Sequence, residues 1–344
     1  MTDWRAGVRA RQRLTPAAAD ALAASGRRVV VTGAGGWLGL ATLELLRFAL
    51  GDAFAGRVHA FGASARTLAL RDGTTIDQRP LAAIAGLRPE PTLVLHLAFL
   101  TKDRVAGMAA EDYAAANAAL SRTVLDALDR IGATGVFVAS SGAARFADDS
   151  DAAPDMRLYG QLKRRDELDF AAWAETSGNI AVVTRIFNVA GPYMNKHQAY
   201  AMAAFILDSL AGRAITVRAP HRVMRGYVAI RELMSLVILL LLGDAPVTHS
   251  FDTGGDPLEL ADVAGAVAAV LGGGVERAPV TSDRIDRYIG DRTVYDALLA
   301  HHGIGAVPLA EQIADTAEGM AAESGPPGSV PSGSGPSESG VAAG

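Results

Sequence analysis

The feature that most narrows what this chain can fold into is the stretch Thr32-Gly33-Ala34-Gly35-Gly36-Trp37-Leu38-Gly39. It follows Val29–Thr32, a β-branched run that reads as a strand, and it opens Trp37–Phe48, which reads as a helix. A glycine turn in that position presents free backbone amides at a helix N-terminus, where the helix dipole also favours an anion. Gly33 permits the tight turn, Gly36 removes a side chain that would block a phosphate, and Gly39 lets helix and strand pack closely. With Trp37 and Leu38 these residues form a candidate pyrophosphate cradle for a dinucleotide.

Downstream, short β-branched runs alternate with longer helical patterns. Strands are expected at Val58–Phe61, Thr75–Asp77, Leu93–Ala98, Val136–Ser140 and Ile180–Ile186, with helices over about Met108–Ile131 and Tyr159–Thr176. This alternation implies βαβ units, hence an α/β fold of the Rossmann type: a doubly wound parallel sheet covered on both faces. The expected organisation is an N-terminal extension over residues 1–26 and an NAD(P)-binding domain over 27–190. A smaller C-terminal substrate-binding lobe over 191–323, with segments returning to the first core, precedes a disordered Gly/Ser/Pro tail at 324–344. Thr15-Pro16 reads as the cap and first turn of a helix that stops at Gly26.

The end of the second expected strand bears on which dinucleotide is bound. A carboxylate there would hold the adenosine ribose and select NAD, but the chain reads Phe61-Gly62-Ala63-Ser64-Ala65-Arg66. The hydroxyl of Ser64 and the cation of Arg66 suit a 2′-phosphate, so NADP is favoured over NAD. The competing reading makes Arg66 a solvated loop charge.

Tyr159-Gly160-Gln161-Leu162-Lys163 puts a phenol and an ammonium on one face of a helix. A nearby cation stabilises the phenolate, so Tyr159 can pass a proton to or from a substrate oxygen while Lys163 tunes it and reaches a cofactor ribose. With seven Tyr and three Lys in the chain, chance would supply only roughly 0.06 such pairs. Val136–Ala139 runs into Ser140-Ser141, and a serine there could bond the reacting oxygen; Ser141 is the candidate.

Composition removes other classes. No cysteine is present, which excludes disulfides and thiolate chemistry, and the seven His show no metal-binding spacing, so no metal is expected. A net charge of -5 without a basic block argues against nucleic acid. The most apolar run, Leu233–Leu242, is too short for a membrane span and reads as a buried helix. Met1–Arg13 lacks the apolar stretch of a secretory signal, and the expected location is cytoplasmic.

Together, the glycine turn and the Tyr-x-x-x-Lys pair resemble the extended short-chain dehydrogenase/reductase family, specifically its nucleotide-sugar epimerase/dehydratase group, over about Arg28–Met320. The resemblance implies further roles. Asp77 is similar to an adenine-contacting aspartate, Leu97 and Ala98 to a motif beside the cofactor, and Asn117 to a structural asparagine near it. Arg185-Ile186-Phe187-Asn188-Val189-Ala190-Gly191-Pro192 resembles a stretch that places Phe187 at the cofactor and Asn188 at the nucleotide sugar. Arg225 resembles an arginine that grips the substrate's phosphates, and Gly290-Asp291 with Leu298–Ile304 resembles the element closing that lobe. A homodimer is also implied. Two departures stand out: Gly142 replaces the usual hydroxyl, and Ala143-Ala144 replace the acidic pair used to eliminate water, which disfavours dehydration.

The resulting expectation is hydride transfer at a carbonyl or secondary alcohol of a nucleotide sugar, as ketoreductase slightly before epimerase. A reductase of non-sugar ketones and a non-catalytic NAD(P)-binding sensor or assembly protein remain as alternatives.

Overall fold

The computed structural model describes residues 4, 5, 7–101, 107–195, 197 and 200–324. Its frame is an eight-stranded sheet. In chain order the strands are β1 (Arg28–Thr32), β2 (Val58–Gly62), β3 (Arg66–Ala69), β4 (Thr75–Pro80), β5 (Thr92–His96), β6 (Ala133–Ser141), β7 (Ile180–Ile186) and β8 (Thr248–Asp252). Their spatial order is β8-β7-β6-β5-β1-β2-β4-β3, and every neighbouring pair is parallel except β3 with β4. The winding reverses beside β1, which is flanked by β2 on one side and β5 on the other. That reversal opens a crevice at the carboxyl ends of β1 and β5, where doubly wound sheets bind ligands.

The strands read as unbroken apolar runs because both faces are covered. Alternation along β1 sends Val29 and Val31 into the larger core and Val30 into the other; Leu93 and Leu95 divide from Val94 in the same way on β5. The larger core lies under α1 (Pro16–Ala24), α2 (Trp37–Leu50) and the later helix Ile230–Leu241. The second lies under α3 (Ala110–Leu128) and α4 (Pro154–Ser177).

Several sequence expectations changed in extent. The third expected strand runs on to Pro80, and Arg66–Ala69, where no strand was expected, forms an antiparallel hairpin with it. Leu97 and Ala98 fall beyond β5, in the loop at the crevice. The Thr15 hydroxyl does cap α1, accepting from the Ala18 amide, but α1 is no loose addition. Ala18 and Leu22 are fully buried, and the Thr15 amide donates to the Ser235 hydroxyl at 2.9 Å. Ile230–Leu241 is a buried helix, and no described helix is long and apolar enough to cross a membrane. The expected disordered tail lies outside the described residues except for Ser324.

After β7 the chain builds three small sheets, one of which pairs Arg222–Arg225 with Ile285–Tyr288 and with Leu258–Glu259. Among the described residues it returns to the large sheet only as β8, beside β7. The strand Ile285–Tyr288 ends with Tyr288 beside Ser141, at the end of β6.

Candidate active site

The glycine turn sits at the switch point. Gly33 has φ +66°, and a Cβ there would come within 2.7 Å of the Ala98 nitrogen and the Leu97 carbonyl. Only glycine satisfies both the left-handed backbone and that approach. The Thr32 hydroxyl accepts the Ala98 amide at 3.3 Å and bonds His96 Nδ1 at 2.9 Å, so the ends of β1 and β5 are tied together. Gly36 is the N-cap of α2 and Trp37 its first residue, as an anion site at a helix N-terminus requires. The backbone therefore offers a cradle that a Cβ would fill, and a dinucleotide pyrophosphate fits its chemistry.

Tyr159 and Lys163 lie one turn apart on α4, which reaches the end of β6 because Gly160 has no side chain. A Cβ at position 160 would stand 2.3 Å from the Ala143 carbonyl oxygen. Burial pushes the Tyr159 phenol well above its ordinary range, and a hydrogen bond with Ser141 opposes the rise. The Lys163 amine is buried and donates to the Ala139 carbonyl at 2.8 Å, with the Phe99 ring centroid 3.7 Å away. Desolvation pulls its pKa down to about 8 against the raising effect of Asp166 and Glu167. Phe99 also packs edge-on against Tyr159, at 5.4 Å between centroids. Beneath them His96 is held neutral: burial, then the Lys163 charge, pushes it down to about 3.

The two serines at the end of β6 point to opposite sides. Ser140 donates to Glu167, which also receives both arms of Arg185 at 2.8 and 2.7 Å. Ser141 faces Tyr159 and lies 3.3 Å from the Tyr288 hydroxyl; its Oγ also accepts the Ala143 amide at 3.2 Å. Gly142 cannot carry the hydroxyl it replaces, since a Cβ would fall 2.5 Å from the Phe187 ring. Ala143 and Ala144 are buried in the following turn, where methyl groups supply no acid or base.

A family model, the NAD dependent epimerase/dehydratase family, matches residues 29–251, the span that carries this arrangement from β1 through β8. The chain belongs to that family. No curated protein matches it. Among solved structures, the chain is similar to a UDP-glucose 4-epimerase from Thermus thermophilus in complex with NAD, with 22% identity and a TM-score of 0.62 over 85% of this chain and 98% of that one. A UDP-N-acetylglucosamine 4-epimerase from Methanobrevibacter ruminantium aligns at 19% identity and a TM-score of 0.64, over 86% and 99%. DesIV from Streptomyces venezuelae, a dTDP-glucose 4,6-dehydratase, aligns at 21% and 0.61, over 85% and 96%. At such identities the likeness is one of fold.

The other residues nominated from the sequence sit as follows. Asn117 clamps the loop after β5, accepting from the Leu100 amide and donating to the Leu100 and Tyr113 carbonyls. It therefore shapes the segment that bears Leu97 and Ala98. Asp77 is exposed, before the end of β4, and accepts from Thr67 across the hairpin at 2.8 Å. Arg66 donates to the Gly35 carbonyl at 3.1 Å, so it lies across the glycine turn, while the Ser64 carbonyl accepts from Gln78. Phe187 packs on Tyr288 at 4.9 Å, and Asn188 donates to the Gly226 carbonyl at 3.1 Å and the Tyr288 carbonyl at 3.4 Å. Arg225 is paired with Asp286 at 3.1 Å. Tyr288, Phe99 and Gln78 were missed by sequence reasoning. No local spacing marks them; each acquires its neighbours through strand pairing or a loop crossing.

Proposed function

We propose that this protein is an NAD(P)-dependent oxidoreductase acting on a carbonyl or secondary alcohol of a nucleotide sugar, with ketoreduction the favoured reaction and epimerisation the second. NADP is the favoured cofactor. The observation that carries the proposal is the convergence of Ser141 and Tyr159, hydroxyl to hydroxyl, with the buried Lys163 amine one helical turn beyond. Nicotinamide, when bound, supplies or accepts the hydride. Ser141 orients the reacting oxygen, and Tyr159 exchanges a proton with it. Burial keeps Tyr159 protonated, the form that can donate to a carbonyl oxygen as hydride arrives. With alanines at 143 and 144 elimination of water has no local acid–base pair, which disfavours dehydration.

Arg66, placed over the turn with its guanidinium on the Gly35 carbonyl, supports NADP. Arg225 supports a phosphate-bearing substrate, with Asp286 holding its fork in place until an anion competes for it. The nucleotide-sugar substrates in the names of its structural neighbours support the same substrate class, while the family and the first of those neighbours are named with NAD. Purified protein assayed with NADPH and a panel of UDP- and dTDP-linked keto-sugars should consume NADPH. Release of stoichiometric NAD on denaturation would instead favour an epimerase that recycles its cofactor. Arg225→Ala should weaken UDP binding by about tenfold, roughly 1.4 kcal/mol, measured by calorimetry. Unchanged UDP affinity would favour the reductase of non-sugar ketones.

The reaction should also carry the signature of Lys163. Its pKa is depressed to about 8, so the ammonium is present below that pH and is lost above it. Reduction should therefore decline as pH rises through about 8, since on this reading the ammonium one turn along α4 stabilises the developing Tyr159 phenolate. Lys163→Arg keeps its charge through this window and should remove the descending limb from whatever activity survives. A limb retained in that variant assigns the titration to another group.

A further inference from the structure

The end of β2 carries no carboxylate for an adenosine ribose, yet the structure leaves one buried acceptor open beside it. Gln78, on β4, is 4% exposed. Its Nε2 donates to the Ser64 carbonyl at 2.8 Å, which fixes which end of the amide faces away from the strand connection. Its Oε1 is buried and has no partner among the described residues. A buried carboxamide oxygen left in that state is unfavourable unless something donates to it.

Two glycines make room for this side chain. A Cβ at Gly62 would lie 2.4 Å from the Gln78 amide, and a Cβ at Gly35 would lie 2.8 Å from Oε1. The same point at Gly35 is 1.7 Å from an Arg66 nitrogen. The open acceptor, the arginine and the glycine turn thus share one small space at the carboxyl ends of β1 and β2, with β4 alongside. In a doubly wound fold this is where a dinucleotide's adenosine ribose is read.

We propose that Gln78 is the ribose-reading residue of this protein, its Oε1 accepting from an adenosine ribose hydroxyl in place of the carboxylate absent from the end of β2. The proposal rests on the glycine turn holding a dinucleotide. A carboxamide does this work without the negative charge that would repel a 2′-phosphate, so it is compatible with Arg66 acting on that phosphate. One neutral acceptor and one cation then divide the recognition: Gln78 serves a hydroxyl common to both cofactors, and Arg66 serves the phosphate that only NADP carries.

The test is direct titration of the full chain with NADH and NADPH, read by nicotinamide fluorescence, for wild type, Gln78→Met, Gln78→Glu and Arg66→Ala. Gln78→Met keeps the length and removes the acceptor, and should weaken both nucleotides by about tenfold. Gln78→Glu restores an acceptor but adds a charge, so it should weaken NADPH at least about tenfold more than NADH. Unchanged affinities in Gln78→Met, or equal losses for both nucleotides in Gln78→Glu, would overturn the assignment. Arg66→Ala separates the two readings: if it spares the NADPH-to-NADH ratio while Gln78→Glu shifts it, the role of Arg66 in reading the 2′-phosphate fails and the Gln78 site stands. A wild-type protein that binds neither nucleotide overturns both.

Discussion

Tyr159→Phe should lower kcat by about 10²–10⁴-fold while leaving the dissociation constant of the nicotinamide cofactor nearly unchanged. The substitution removes one oxygen and keeps the ring, so the edge-on packing with Phe99 survives. What disappears is the hydroxyl that Ser141 bonds, the group proposed to exchange a proton with the substrate oxygen. No neighbouring group replaces it. His96 is buried and held neutral down to about pH 3, with Nδ1 engaged by Thr32, and Ser140 is committed to Glu167 on the other side of the strand. Tyr288 lies on Ser141 rather than one turn from Lys163, so it could at most support a residual rate. Stopped-flow oxidation of NADPH with an accepted keto-sugar, beside a fluorescence titration of the cofactor, measures both quantities. Turnover near the wild-type rate would remove Tyr159 from the chemistry and move the proton relay to another hydroxyl near Ser141, such as that of Tyr288.

Gly33→Ala should destabilise the fold by on the order of 3 kcal/mol and weaken dinucleotide binding at least about tenfold. Two separate costs contribute. At φ +66° an alanine is strained, and its Cβ meets Ala98 and Leu97 backbone atoms at 2.7 Å. Those atoms belong to the loop at the end of β5, which cannot retreat without releasing the Asn117 clamp on Leu100. The strain alone can be measured at Gly26, which has φ +63° and open space around it. Gly26→Ala should cost only about 1 kcal/mol and leave cofactor binding intact. The difference between the two variants in urea melts isolates the close approach of β1 and β5. Equal losses would mean that the approach has no energetic consequence.

Local chemistry makes much of this protein legible in the chain itself. The apolar runs at Val29–Thr32 and Ile180–Ile186 announced buried parallel strands, because residues on both faces must be apolar when helices cover both. The glycine turn and the Tyr159–Lys163 spacing each express a constraint confined to a few residues, and so were visible in the chain. The hairpin of β3 with β4 was not, since Arg66–Ala69 alternates too weakly to stand out and owes its form to pairing with Thr75–Gln78.

By itself, then, the sequence determined the fold class, the glycine turn after β1 and the helix bearing the tyrosine and lysine, all set by short-range periodicity and backbone freedom. Tertiary structure alone decided the rest. It turned Ser141 toward Tyr159 and Ser140 toward Glu167, a choice made by the register of β6 against β7. It carried Tyr288 to Ser141 across 147 residues and set Gln78 against Gly35 and Gly62. Such contacts depend on which strand lies beside which. That is a property of the whole sheet's packing, and no window of sequence contains it.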